Sequence, residues 1–333
     1  MNLKEQGRNF LKALESVDAK SVCNEGYART YLQHLLTHKE YYVAIYSSVL
    51  IELQEQFGER ERSLCIVDYG CGNGLLGLFA LQCGFGSVIF QDSDEEFLAA
   101  AEKLSNILGF KNAQFIAGEI DNLLNNSANV DAVIGTDVIE HIYDLDQFFE
   151  TVREINSQMV TVFTTAANPY NPVIVSRLKK LQRRDEYSGN DGLSGDLSGG
   201  PHLPYFEMRK RYIMKNFPAV ENVTELARAT RGLAAEDIIA AVKKYQLTNR
   251  LPVPVHSTNT CNPVTGSWTE RLLNASHYSE LYNKHGFRLH IKAGFYNRHK
   301  SGAAGLVYGL LNVIVAVLGK TFSPFIILSG SKK

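Results

Sequence analysis

Apolar residues recur at helical spacing through the first 62 residues. In YLQHLLTHKEYYVAIYSSVLIELQEQF they stand at Leu32, Leu35, Leu36, Tyr42, Val43, Ile45, Tyr46, Val49 and Leu50, the rhythm of a helix with one apolar face. From Leu64 the texture changes. The short apolar runs LCIVDY, SVIFQD, AQFIAG, VDAVIGT and MVTVFTT predict strands, and LLGLFALQC, DEEFLAAAEKLSNILG and DLDQFFETVREIN between them predict helices. Strands separated by helices imply an α/β fold, a doubly wound and mostly parallel sheet with right-handed crossovers. Residues 171–275 break the alternation with the Gly/Ser/Asp stretch SGNDGLSGDLSGGPHLP, the basic run RKRYIMK, the helical ELARATRGLAAEDIIAAVKKYQ and the Pro-rich LPVPVHSTNTCNP. We read them as an insertion covering the ligand edge of the sheet, not as a separate domain. The pattern resumes with a helix at HYSELYNKHGF and two last strands, FRLHIKAGFYN and PFIILSGSKK. The expected organisation is a helical segment (1–62), an α/β core (63–170), the insertion (171–275) and a completion of the core (276–333).

Composition narrows the function classes. With 45% hydrophobic and 21% charged residues among 333, the chain has ample length for a core, and disordered or fibrous classes are excluded. Five cysteines without a CxxC pair argue against a disulfide framework or a zinc site and for a reducing, cytoplasmic setting. The first ten residues, MNLKEQGRNF, lack the apolar stretch of a signal peptide. The net charge of −1 hides an asymmetry: residues 1–150 hold 10 Lys and Arg against 23 Asp and Glu, whereas residues 151–333 hold 24 against 12. Either the two halves attract each other, or the second half faces something anionic, such as a phosphorylated substrate or a membrane surface.

The strongest chemical signal is Asp68-Tyr69-Gly70-Cys71-Gly72-Asn73-Gly74, between a strand and a helix. Glycines at such a turn let the backbone come close to a ligand at the carboxyl end of a strand. Gly72-x-Gly74-x-x-Gly77 formally meets a dinucleotide fingerprint, but Asp68 would repel a pyrophosphate and suits the ammonium of an amino acid. The segment resembles the DxGxGxG loop of class I S-adenosylmethionine (SAM)-dependent methyltransferases, and the resemblance extends over 63–170 and 276–333. It implies that fold, a seven-stranded sheet, with SAM as cofactor held by Asp68, Gly70, Cys71, Gly72 and Gly74. It further implies that Asp92, beside Ser93 and with Asp94 as the alternative, binds the ribose hydroxyls, and that Glu119 and Ile120 border the adenine.

After the fourth strand comes Asp137-Val138-Ile139-Glu140-His141. This is similar to the (D/E)VxEH segment of the ubiquinone-biosynthesis O-methyltransferases and of the small-RNA 2′-O-methyltransferases. The resemblance implies either a divalent cation such as Mg²⁺ on Asp137, Glu140 and His141, next to the acceptor oxygen, or a metal-free segment lining the SAM pocket. In the second case His141 is the general base, with Glu140 beside it.

Methyl transfer is an in-line displacement in which positioning does most of the work, so the acceptor site leaves a weak trace in sequence. Asn168, Tyr170 and Asn171 follow the fifth strand, where turn chemistry explains them equally well. The insertion offers His202, Tyr205, His256 and Trp268, and the next helix offers His277. Trp268, the only tryptophan, either stacks on a sugar or aromatic ring or caps the core. No nucleic-acid module accompanies the basic runs. The expected function is methylation, of oxygen in our reading, on a hydroxylated small molecule or glycan-type acceptor. A metal-dependent quinone or phenol O-methyltransferase is the first alternative, and a non-catalytic SAM-binding scaffold the second.

Ser301 to Gly319 contains no charged residue, the length of a membrane-span candidate. The resemblance places the last two strands on either side of it as an antiparallel pair, which a crossing would separate. We therefore expect it not to span. It either lies in an anionic interface between flanking basic residues or packs as a lid or a homodimer seam.

Overall fold

A computed structural model describes residues 2–124, 129–190, 201–254, 256, 258–300 and 302–333. The Gly/Ser/Asp stretch expected to form a loop falls largely on 191–200, outside the described residues.

The described chain divides into two compact units. The first comprises 1–139, 144–166 and 275–333, and the second 140–143 and 167–274. The insertion therefore builds a unit of its own, to which the short Glu140–Tyr143 segment belongs, and the N-terminal helices join the sheet.

In the first unit, α1 (Leu3–Leu14), α2 (Ala19–Val22), α3 (Tyr27–Thr37) and α4 (Lys39–Phe57) precede the sheet. The alternation follows as β1 (Cys65–Tyr69), α5 (Leu75–Gln82), β2 (Ser87–Asp92), α6 (Glu95–Leu108), β3 (Ala113–Ala117), β4 (Ala132–Thr136), α7 (Leu145–Ile155) and β5 (Val160–Thr165). The central strands are apolar on both faces, as in a sheet covered by helices on each side: Ile66, Val67, Val88, Phe90, Val133 and Ile134 are buried.

The second unit contains α8 (Pro172–Tyr187), α9 (Tyr205–Asn216), α10 (Val223–Ala229) and α11 (Ala235–Thr248). Ile213, Leu226, Ile238 and Val242 form its core. Arg209 is fully buried there, ion-paired with Glu186 and donating from Nε to the Ala227 carbonyl (3.0 Å).

The chain then returns to the first unit as α12 (Ala275–Lys284), β6 (Phe287–Ala293), α13 (Gly302–Leu318) and β7 (Ile326–Lys332). The strand order is β3-β2-β1-β4-β5-β7-β6, parallel through β5, with β7 antiparallel to both neighbours. This is the doubly wound sheet that the sequence pattern implies and the class I methyltransferase fold that the resemblance implies. The order reverses beside β1, and ligands bind at such a switch point, outside the carboxyl ends of the strands.

Candidate active site

β1 ends at Tyr69 and α5 begins at Leu75, and the five residues between them turn through three left-handed glycines. Gly70, Gly72 and Gly74 have φ of 60°, 52° and 77°, which L side chains adopt only at a cost. Gly74 must also be small, since a Cβ there would lie 2.7 Å from the Cβ of Ala101. Two carboxylates brace the turn. Asp68, buried in β1, accepts the Gly77 amide (2.8 Å). Burial pushes its carboxyl well above the usual carboxylate range, against the pull of that amide. Asp92, at the end of β2, accepts the Gly72 amide (2.8 Å) and the Asp94 amide (2.9 Å) on different oxygens. Burial raises its pKa as well, and the two amides oppose the rise.

The structure thus gives Asp68 a task at the start of α5, beyond the ammonium contact implied by sequence. Asp94 caps α6 through the Glu96 amide (2.9 Å), whereas each Asp92 oxygen accepts one amide and keeps a lone pair. Ser93 is exposed, Cys71 half-buried and Ile120 buried. Glu119, after β3, accepts the Tyr69 hydroxyl (2.7 Å), and its carbonyl receives the Gln91 amide. Backbone glycines and acids at successive strand ends form a donor and acceptor set that fits SAM.

Sequence reasoning missed the aromatic wall beside this loop. Tyr31 on α3 comes within 3.6 Å of a Cβ placed on Gly72, and Phe97 on α6 within 3.9 Å. Their rings meet edge to face, with centroids 5.7 Å apart. The helical spacing of 27–37 was the available signal, but it did not say which side faces the loop.

Asp137 follows β4 with φ of 51°. Its amide donates to the Thr164 carbonyl (3.0 Å), and its carboxylate accepts the Ala166 amide (3.0 Å), which ties the ends of β4 and β5 together.

In the second unit, Glu140 is fully buried. His141 Nδ1 lies 2.7 Å from the Trp268 carbonyl. A carbonyl only accepts, so Nδ1 carries the hydrogen and the neutral ring keeps its lone pair on Nε2. Nε2 lies 4.0 Å from a carboxylate oxygen of Glu270, a residue that sequence reasoning did not single out. Glu270 has φ of 42°, uncommon for a non-glycine residue. Its segment is pinned to α8: Gln182 donates to the Glu270 carbonyl (2.9 Å), and Thr269 donates to Asp185 (3.0 Å). No sequence motif links residues 129 positions apart.

Among the described residues, no three His, Cys, Asp or Glu side chains gather as a metal centre requires. Asp137, Glu140 and His141 are adjacent in sequence but do not form the expected ligand set: His141 spends Nδ1 on a carbonyl, and Asp137 binds a loop amide.

The acceptor candidates also change. Trp268 is buried, with Tyr143 stacked at 5.8 Å and the Arg271 guanidinium 4.4 Å from its ring centre. It has no open face for a sugar and belongs to the core of its unit. Asn168 is buried and accepts the Tyr170 amide (2.9 Å), while Asn171 caps α8, so both serve the turn. Tyr170 is half-buried. His202 and Tyr205 stack at 4.4 Å, and burial pushes the Tyr205 hydroxyl up to about 12. His277 is exposed on α12, in the first unit. The second unit also holds a cleft of about 730 Å³ lined by Ser176, Lys179, Lys180, Arg183, Tyr187, Arg231 and Thr258. Its lining has four cationic side chains and no carboxylate.

Residues 61–194 match a family model described as a methyltransferase domain. Solved structures similar to this chain include a SAM-dependent methyltransferase from Mesorhizobium loti, at 14% identity over 84% of this chain and 96% of that one (TM-score 0.44). Phosphoethanolamine N-methyltransferase 2 of Haemonchus contortus, in complex with SAM, matches at 15% identity over 86% and 52% (TM-score 0.41). A candidate sarcosine dimethylglycine methyltransferase from Galdieria sulphuraria matches at 20% over 38% and 48% (TM-score 0.35). The chain thus spans about half the length of the last two. No curated protein matches it. The methyltransferase fold itself rests on the sheet order above.

Proposed function

We propose that the protein transfers the methyl group of SAM to a hydroxyl of an anionic small-molecule or glycan-type acceptor. The observation that carries this is the three-glycine turn after β1, with Asp92 accepting the amide of its central glycine. When bound, SAM supplies an electrophilic methyl on a positively charged sulfur. The chain binds and orients: the glycine turn admits the methionine end, Asp92 accepts from the ribose, and Tyr31 and Phe97 wall the loop.

An alcohol acceptor gains from a base. His141 is assigned that role, because its neutral ring presents Nε2 as acceptor while Nδ1 is held by the Trp268 carbonyl. Glu270 is a positioning residue that stabilises the ring once it takes a proton. The cleft of Lys179, Lys180, Arg183 and Arg231 supports an acceptor bearing phosphate or carboxylate groups.

Calorimetric titration with SAM followed by a screen of hydroxylated acceptors, neutral and phosphorylated, tests the reading. SAM binding and methylation of a phosphorylated alcohol are expected. Binding of NADH without binding of SAM would overturn it.

A further inference from the structure

Helix α13 faces outward with its apolar side. Of its seventeen residues only Val315 is buried. Leu306 is 80% exposed, Val317 78%, Leu310 64% and Val313 62%, and at 100° per residue these four lie on one face. Val307, Leu318 and the nearby Phe322 widen it. The opposite face is fixed to the fold. The Asn312 side chain accepts the Tyr296 amide (2.7 Å) and donates to the Tyr296 carbonyl (3.0 Å). Tyr308 stacks on Tyr296 at 5.8 Å, and the Tyr296 hydroxyl donates to the Phe322 carbonyl (2.9 Å). The apolar face is therefore held in place, and water is a poor solvent for it.

We propose that α13 is an in-plane anchor that docks the protein on an anionic phospholipid surface. Three observations select that occupant. By length and hydropathy the helix could cross a bilayer, but its two ends lead into β6 and β7, adjacent antiparallel strands in register from Phe287↔Lys332 to Ala293↔Ile326. A crossing would pull that pair apart, so the helix lies flat. The charge around it is of one sign: Arg298 and Lys300 precede it, Lys320 follows it, and no Asp or Glu occurs after Glu280. A basic flank at both ends matches lipid phosphates. It opposes a second copy, because helix pairing in either direction would bring basic ends together.

The test is flotation of the full chain with vesicles of phosphatidylcholine alone and of equal parts phosphatidylcholine and phosphatidylglycerol. Flotation with the mixed vesicles, weakened by salt, is expected. The double variant Leu306→Glu/Leu310→Glu changes only exposed side chains and should lower vesicle partitioning at least about tenfold with its thermal unfolding unchanged. Arg298→Glu/Lys300→Glu should abolish the preference for the anionic vesicles. An intact protein that stays at the bottom with both vesicle types overturns the proposal. If it also forms a dimer that Leu310→Glu dissociates, the face belongs to a second copy.

Discussion

The cofactor loop and the His141 segment are both built around hydrogen bonds to backbone groups, but they differ in how far apart their parts lie in the chain. Asp68, the glycine turn and Asp92 fall within 25 residues; Asp92 meets an amide of the turn and Asp68 an amide in the first turn of α5. His141 takes its tautomer from Trp268 and its neighbouring charge from Glu270, which only folding of the second unit brings near. A site confined to a strand–turn–helix unit can be written as a motif. A site assembled by tertiary packing leaves ordinary residues at unremarkable positions.

The comparison breaks most visibly at the loop. Asp92→Ala removes the acceptor proposed for the ribose and leaves the Gly72 amide without its carboxylate. Charge-assisted hydrogen bonds of this kind contribute about 1.5–3 kcal/mol each, so SAM affinity should fall by roughly 100-fold, read by calorimetry. Gly74→Val should damage folding as well, because its Cβ would meet Ala101 at 2.7 Å in a backbone region that costs about 1–2 kcal/mol for an L residue.

At the second site the loss should fall on turnover. His141→Ala is expected to lower kcat by about 10²–10⁴-fold with SAM affinity unchanged. Glu270→Gln should lower kcat by about tenfold, about 1.4 kcal/mol in barrier, with the KM for the acceptor and SAM affinity unchanged, a split that a merely structural residue would not give. If His141→Ala lowers SAM binding and leaves kcat intact, the segment belongs with the cofactor and the contrast disappears.

The same contrast governs how much was legible. All seven strands fell where the sequence put them: the central β1, β2, β4 and β5 as apolar runs, since a strand covered on both faces needs one, and the edge strand β6 as the alternating FRLHIKA with one face to solvent. Asp92 and the glycines were legible because their geometry is local. The autonomy of residues 167–274 was not, since its core of Ile213, Leu226, Ile238 and Val242 is interleaved with charged positions that read as surface. Buried Arg209, ion-paired with Glu186 from another helix, illustrates the difficulty: one member of a basic run in sequence is fully buried in space while its neighbour Arg211 is exposed. Trp268 stayed open between ligand stacking and core capping for the same reason, as its aromatic and cationic neighbours come from 125 residues upstream and 3 downstream.

Metal removal sharpens the chemistry. With no three-ligand cluster among the described residues, turnover after EDTA treatment should stay within about twofold of the untreated protein, a change below about 0.4 kcal/mol in barrier. A larger loss restored by Mg²⁺ would return Asp137, Glu140 and His141 to the role of ligands.

The smallest effect concerns His256, whose ring meets Trp268 edge-on at 4.8 Å. Burial lowers its pKa below the ordinary histidine value, with Arg271 and Arg231 adding in the same direction. The folded state therefore prefers the neutral ring. The unfolded chain takes up its proton first as pH falls through about 6.5, so the contribution to stability is complete above that value. It declines between there and the lower folded pKa, and is constant below both. Urea unfolding of the native protein and of His256→Gln, which stays neutral throughout, isolates the effect, because other titrating groups cancel in the difference. The native protein should lose stability relative to the variant as pH falls through about 6.5. An unchanged or widening advantage would mean that the ring is charged within the fold, with the two arginines held away from it.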